Sequence, residues 1–183
     1  MKKIFKLGFL ALCVLTIFGC AEQKVLNRSI KLESGERMLT GEFEESKLNE
    51  KYYATWYKPE YDSYEIEFAK LKDIKNEIKK YEIEVFIGTW CSDSQRELPR
   101  LLKILNEVKH PYNKLKLYAV NREKKSFYGE EMGKNITHVP TIIFYHKGNE
   151  VGRIVESPVS GYLEEDIAMI VKGTPLTPNY SED

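Results

Sequence analysis

The sequence predicts an α/β fold, a central mixed sheet of four to five strands flanked by helices. Three observations lead there. Between Lys51 and Gly173, short β-branched runs alternate with longer runs whose apolar residues recur at helical spacing. The run Ile83-Glu84-Val85-Phe86-Ile87 stops at Gly88, just ahead of a helical pattern that starts at Ser92. Near the end, Lys147-Gly148-Asn149 separates two strand-like runs and reads as a hairpin turn. Crossover helices make the first strands parallel, and the final hairpin adds an antiparallel pair.

In chain order, Lys51 to Tyr64 carries six aromatics and reads as a first strand or extended segment that half-buries them against the core. A surface patch gripping a partner or glycan is the alternative. Asp62 or Ser63 then caps a helix. Its inward face is Ile66, Leu71, Ile74, Ile78 and Tyr81. Ile83 to Ile87 is a strand. The helix from Ser92 turns Leu98, Leu101, Leu102, Leu105 and Val108 to one side and ends at His110-Pro111. Lys114 to Val120 alternates as a strand does. Residues 122–135 have the weakest pattern, and a short helix around Phe127 and Met132 is expected. Thr141 to Tyr145 and Val151 to Val155 are the hairpin strands, and Tyr162 to Val171 is the last helix.

The ends of the chain have a different composition. Lys2, Lys3 and Lys6 precede an uncharged run from Leu7 to Phe18, short for a membrane span and shaped like a signal-peptide core. Gly19-Cys20 closes it. This resembles the lipobox of bacterial lipoproteins, with Cys20 as the lipidated residue; an ordinary signal peptide or a membrane anchor is the other reading. The resemblance implies an envelope protein held to the membrane by lipid. Ala21, in place of an aspartate, implies the outer membrane if the cell is Gram-negative. Residues 1–20 are thus read as a signal, 21–50 as a polar tether, 51–173 as the domain and 174–183 as a flexible tail. Lys plus Arg and Asp plus Glu balance at 28 each, so no nucleic-acid partner is expected. Three scattered histidines with one remaining thiol make no metal site, and no cofactor is expected.

That thiol is Cys91. Cys13 leaves with the signal and Cys20 takes the lipid, so no internal disulfide is expected. Cys91 lies in Gly88-Thr89-Trp90-Cys91-Ser92-Asp93-Ser94, with C-x-x-C spacing but Ser94 in the second place. Its position ahead of a helix favours thiolate through the free N–H groups and the helix dipole. Arg96 would add to this by curling back, and Asp93 would oppose it.

These residues resemble a thioredoxin. Trp90-Cys91-x-x-Ser94 stands where that family has Trp-Cys-x-x-Cys. Pro99 matches the proline of the active-site helix, and Val139-Pro140-Thr141 matches the cis-proline loop, with Gly148 at the family's hairpin turn. The resemblance implies that Cys91 is the nucleophile and that Trp90, Val139 and Pro140 shape the substrate groove. Ser94 cannot resolve a mixed disulfide but can hydrogen-bond the Cys91 sulfur. The family's buried acid is replaced by Val85. His138 is either a loop residue or a proton donor or acceptor near the sulfur.

The first functional expectation is monothiol thiol–disulfide exchange, or isomerisation, through mixed disulfides on Cys91. Protein disulfides or thiols would be the substrates, and an external reductant would release them. The alternative is a non-catalytic thioredoxin-fold binding module. A one-cysteine peroxidase fits less well, since Glu84 and Gly88 stand where its proline and threonine belong. Phosphate-loop and serine-hydrolase patterns are absent.

Overall fold

A computed structural model describes residues 24–181. The signal segment 1–20 and Cys20 lie outside the described residues. The first described elements correct the tether expected over 21–50. β1 (Ser29–Lys31) and β2 (Arg37–Leu39) pair as an antiparallel hairpin. The chain then turns at Gly41, φ 82°, into β3 (Gly41–Phe43), which joins the main sheet. Leu39, Phe43 and Leu48 are buried. Each such side chain stabilises the fold by about 1.5–3 kcal/mol on burial, which is enough to draw a polar segment onto the domain.

Lys51 to Tyr64 is not a strand. α1 (Lys51–Ser63) buries Tyr53 and Tyr57, and Trp56, Tyr61 and Tyr64 pack partly against the same core. Those five stand at i, i+3, i+4, i+8 and i+11, the spacing of one helix face. Pro59 sits inside the helix and cannot offer an N–H to the Thr55 carbonyl. The helix expected over 66–81 is broken. α2 (Phe68–Leu71) spans one turn, and a 3₁₀ turn follows only at Ile78–Lys80. Asp73 and Asn76, which favour turns, lie between them. The expected inward face survives, since Leu71, Ile74, Ile78 and Tyr81 are all buried.

From β4 (Glu82–Ile87) onward the expected elements appear. α3 (Ser92–Glu107), β5 (Leu115–Ala119), β6 (Thr141–His146), β7 (Asn149–Val155) and α4 (Leu163–Lys172) follow. The sheet order is β3-β5-β4-β6-β7. β4 and β5 run parallel, and β3 lies antiparallel to β5. β6 and β7 complete the antiparallel side. No helix forms over residues 122–135. Phe127 and Met132 are exposed there, so no apolar face exists to pay for helix formation.

Alternation along β4 sorts the two faces of the sheet. Ile83, Val85 and Ile87 join the large core with α1, α3 and α4. Phe86 joins Tyr118, Val120, Val139 and Ile143 in a small cluster on the other face, against which Trp90 and Cys91 pack. The functional residues therefore sit at one end of the face opposite the helices. The tail also departs from expectation. Leu176 packs against the core, and Asn179 donates to the carbonyls of Val155 and Ser157, each at 3.1 Å. Tyr180 stacks on His138 with ring centroids 3.9 Å apart.

Candidate functional site

β4 ends at Ile87, and Gly88-Thr89-Trp90 carries the chain to Cys91, which is the N-cap of α3. The Cys91 N–H donates to the Gly88 carbonyl at 2.9 Å, and the Cys91 carbonyl accepts the Gln95 N–H at 3.0 Å. Together these bonds close the strand-to-helix turn. Gly88 is required by contact: a Cβ there would lie 2.5 Å from Trp90 Cε2. The indole Nε1 donates to the Val120 carbonyl at 3.0 Å, which fixes the ring beside the cysteine.

Cys91 is half-buried and is the one free cysteine among the described residues. Its Sγ donates to the Val139 carbonyl at 3.2 Å. The Val139–Pro140 peptide is cis. The Val139 N–H has no hydrogen-bond partner among the described residues. Trp90, Cys91, Val139 and Pro140, which the sequence placed at one site, do come together in space.

Ser94 does not do what was expected of it. It is fully buried, and its Oγ accepts the Gly88 N–H at 3.1 Å, while the Cys91 sulfur donates to the Val139 carbonyl. Its work is to satisfy a buried backbone donor at the turn. Arg96 does not curl back to the sulfur. Its guanidinium holds Asp93 at 2.8 Å and Glu97 at 2.6 Å, so the two charges near the helix head are paired with each other. Glu97 is buried, with Oε2 lacking a partner. Burial pushes its carboxyl above the usual range, outweighing Arg96 and Arg100. Val85 is buried and apolar where the resemblance placed an acid. The His138 ring faces Tyr180, and its Nδ1 lies 3.1 Å from Thr137 Oγ1.

Two residues at the turn escaped the sequence reading. Thr89 Oγ1 accepts the buried Leu39 N–H at 3.2 Å, pinning β2 to the motif, and Gln95 Nε2 donates to the Thr89 carbonyl at 2.8 Å. Fifty positions separate Leu39 from Thr89, and no local signal joins them. Among the described residues, no cluster of His, Cys, Asp and Glu could hold a metal.

With this geometry in place, comparison with known proteins gives the family. A thioredoxin family model matches residues 41–161, so this chain belongs to the thioredoxin family. Among solved structures it is similar to a protein of unknown function from Pseudomonas aeruginosa, at 17% identity over 66% of this chain and 80% of that one, TM-score 0.43. It is also similar to oxidised thioredoxin O2 of Arabidopsis thaliana, at 21% identity over 51% and 78%, TM-score 0.34. Mitochondrial thioredoxin 3 of Saccharomyces cerevisiae gives 21% identity over 49% and 82%, TM-score 0.32. No curated protein matches the chain. Membership of this family supports redox chemistry of the thiol–disulfide exchange type at a general level.

Proposed function

We propose that this chain is a monothiol thiol–disulfide exchange protein of the bacterial envelope, with Cys91 as nucleophile. One observation carries the reading: the half-buried Cys91 sulfur faces the Val139 carbonyl beside cis Pro140, and the Val139 N–H stays unpartnered for a substrate strand. The Cys91 thiolate attacks one sulfur of a substrate disulfide. The Cys91–substrate S–S bond forms, the substrate bond breaks, and the other substrate sulfur leaves as thiolate. Ser94 offers no second sulfur, so release falls to another thiol, from the substrate or from an external reductant. That thiol attacks the mixed disulfide and returns Cys91 as thiolate.

Cells making the wild-type chain should accumulate mixed disulfides that reductant dissolves, and Cys91→Ser should abolish them. The same adducts on Cys91→Ser would sink the proposal and leave a binding module. The basic start, the uncharged run to Phe18 and Gly19-Cys20 support a lipid anchor at Cys20, on the outer membrane in a Gram-negative cell. Palmitate labelling should vanish in Cys20→Ser, and label that persists would refute the anchor.

A further inference from the structure

On the side of Trp90 that faces the amino-terminal hairpin lies a cleft of about 400 Å³. Thr89, Trp90 and Gln95, from the turn and helix that carry Cys91, line it without Cys91 itself, and Arg37, Tyr52 and Arg122 stand among its other lining residues. The two arginines come from distant parts of the sequence, one from β2 and one from the loop after β5. Both lie over rings that line the cleft: Arg122 Cζ lies 5.0 Å from the Trp90 ring centroid, and Arg37 Cζ lies 5.1 Å from that of Tyr52. A guanidinium held over a ring keeps N–H donors that can meet a planar anion.

Neither arginine forms an ion pair among the described residues, whereas Arg96, Arg100 and Arg153 all do. The single carboxylate in the lining, Glu36, accepts a hydrogen bond from Ser34 Oγ at 3.2 Å. The cleft thus carries two guanidiniums outside any ion pair against one carboxylate, Glu36, with aromatic walls and Gln95, whose Nε2 is held by the Thr89 carbonyl. Its volume is at the small-molecule end of binding pockets rather than that of a protein groove.

We propose that this cleft seats the carboxylate-bearing part of a low-molecular-weight thiol or disulfide that exchanges with Cys91. The inference rests on the exchange reading and names its substrate class. In the step, the Cys91 thiolate takes one sulfur of the small disulfide RSSR, forming Cys91–S–S–R and releasing RS⁻. In the reverse sense, RS⁻ clears a mixed disulfide from Cys91, which is the release that Ser94 cannot perform. Carboxylates on R would be held by Arg37 and Arg122, with the sulfur directed past Trp90.

Both tryptophans of the chain, Trp56 and Trp90, line the cleft, so intrinsic fluorescence reports its occupancy without any reaction. Two experiments, on the full chain with Cys13 and Cys20 replaced by Ser so that Cys91 is its single thiol, separate the ideas. The first titrates S-methylglutathione, which has carboxylates and no reactive sulfur, against its uncharged-carboxyl diester. Saturable change with the acid, weakened about two- to fivefold by each of Arg37→Gln and Arg122→Gln and further by salt, is expected. Equal binding of acid and diester, or no saturable change, overturns the proposal. The second compares the rate of Cys91 with anionic dithiobis(nitrobenzoate) and with neutral dithiodipyridine. The anionic-to-neutral ratio should fall in both variants, and a ratio that the variants leave unmoved also overturns the proposal. Failure of Cys91 to react even with the neutral disulfide would instead overturn the exchange reading, leaving an anion cleft uncoupled from the sulfur.

Discussion

Gly88→Ala tests the geometry of the site with one methyl group. The added Cβ would stand 2.5 Å from Trp90 Cε2 and 2.8 Å from both Cζ2 and Nε1. Ordinary carbon contacts need roughly 3.5 Å, so the indole must retreat by about 1 Å. Its Nε1 lies 3.0 Å from the Val120 carbonyl, and a retreat directed away from that carbonyl takes it beyond hydrogen-bond range. Overpacking costs about 1–3 kcal/mol and the lost bond about 0.5–1.5, so the variant should be about 2–4 kcal/mol less stable. With a urea slope of about 2 kcal/mol/M, the midpoint should fall by about 1–2 M. Circular dichroism follows unfolding, and emission in a Trp56→Phe background follows Trp90. In a Trp90→Ala background the same change at Gly88 should cost less than about 1 kcal/mol. An unmoved midpoint with unchanged Trp90 emission would show that the close approach does not fix the ring.

A chain starting at Lys51 should not fold, whereas one starting at Lys24 should. The shorter chain loses Leu39, Phe43 and Leu48, together about 5–9 kcal/mol of burial against a typical total stability of 5–15. A cooperative unfolding transition in the shorter chain would refute this. Glu97→Gln should change the pH profile of stability. The raised carboxyl leaves stability intact below the unfolded value and loses it as pH rises through the folded one. The variant should therefore match wild type in acid and melt higher at neutral pH. A lower melting temperature at neutral pH would mean that the pairing of Glu97 with Arg96 outweighs its burial.

The sheet from β4 to β7, with α3 and α4, was legible because each element follows one period and ends at a turn signal. The motif residues were legible for a related reason: Trp90, Cys91, Val139 and Pro140 lie in short local patterns. The amino-terminal third was not. β1, β2 and β3 have three residues each, too few to show a period of two, and their burial rests on isolated apolar residues in charged surroundings. In α1 the aromatics favoured a strand by propensity. Their spacing at 53, 56, 57, 61 and 64 already described a helix face, and tertiary packing decided for it. At the site, Ser94 was assigned to the sulfur by analogy of position. Only the buried turn reveals that its oxygen accepts the Gly88 N–H. Arg37 and Arg122 reach one cleft from distant segments, which no local pattern encodes.

The docked tail bears on how this protein should be handled in the laboratory. Asn179 ties the chain end to the Val155 and Ser157 carbonyls, and Tyr180 closes on His138, the neighbour of Val139. An affinity tag or fusion partner joined just beyond Tyr180 would follow directly on the segment that packs against the neighbour of Val139. Thiol reactivity measured on such a fusion would report partly on the appended sequence. A cleavable tag, removed before assay, would leave His138 its own cover.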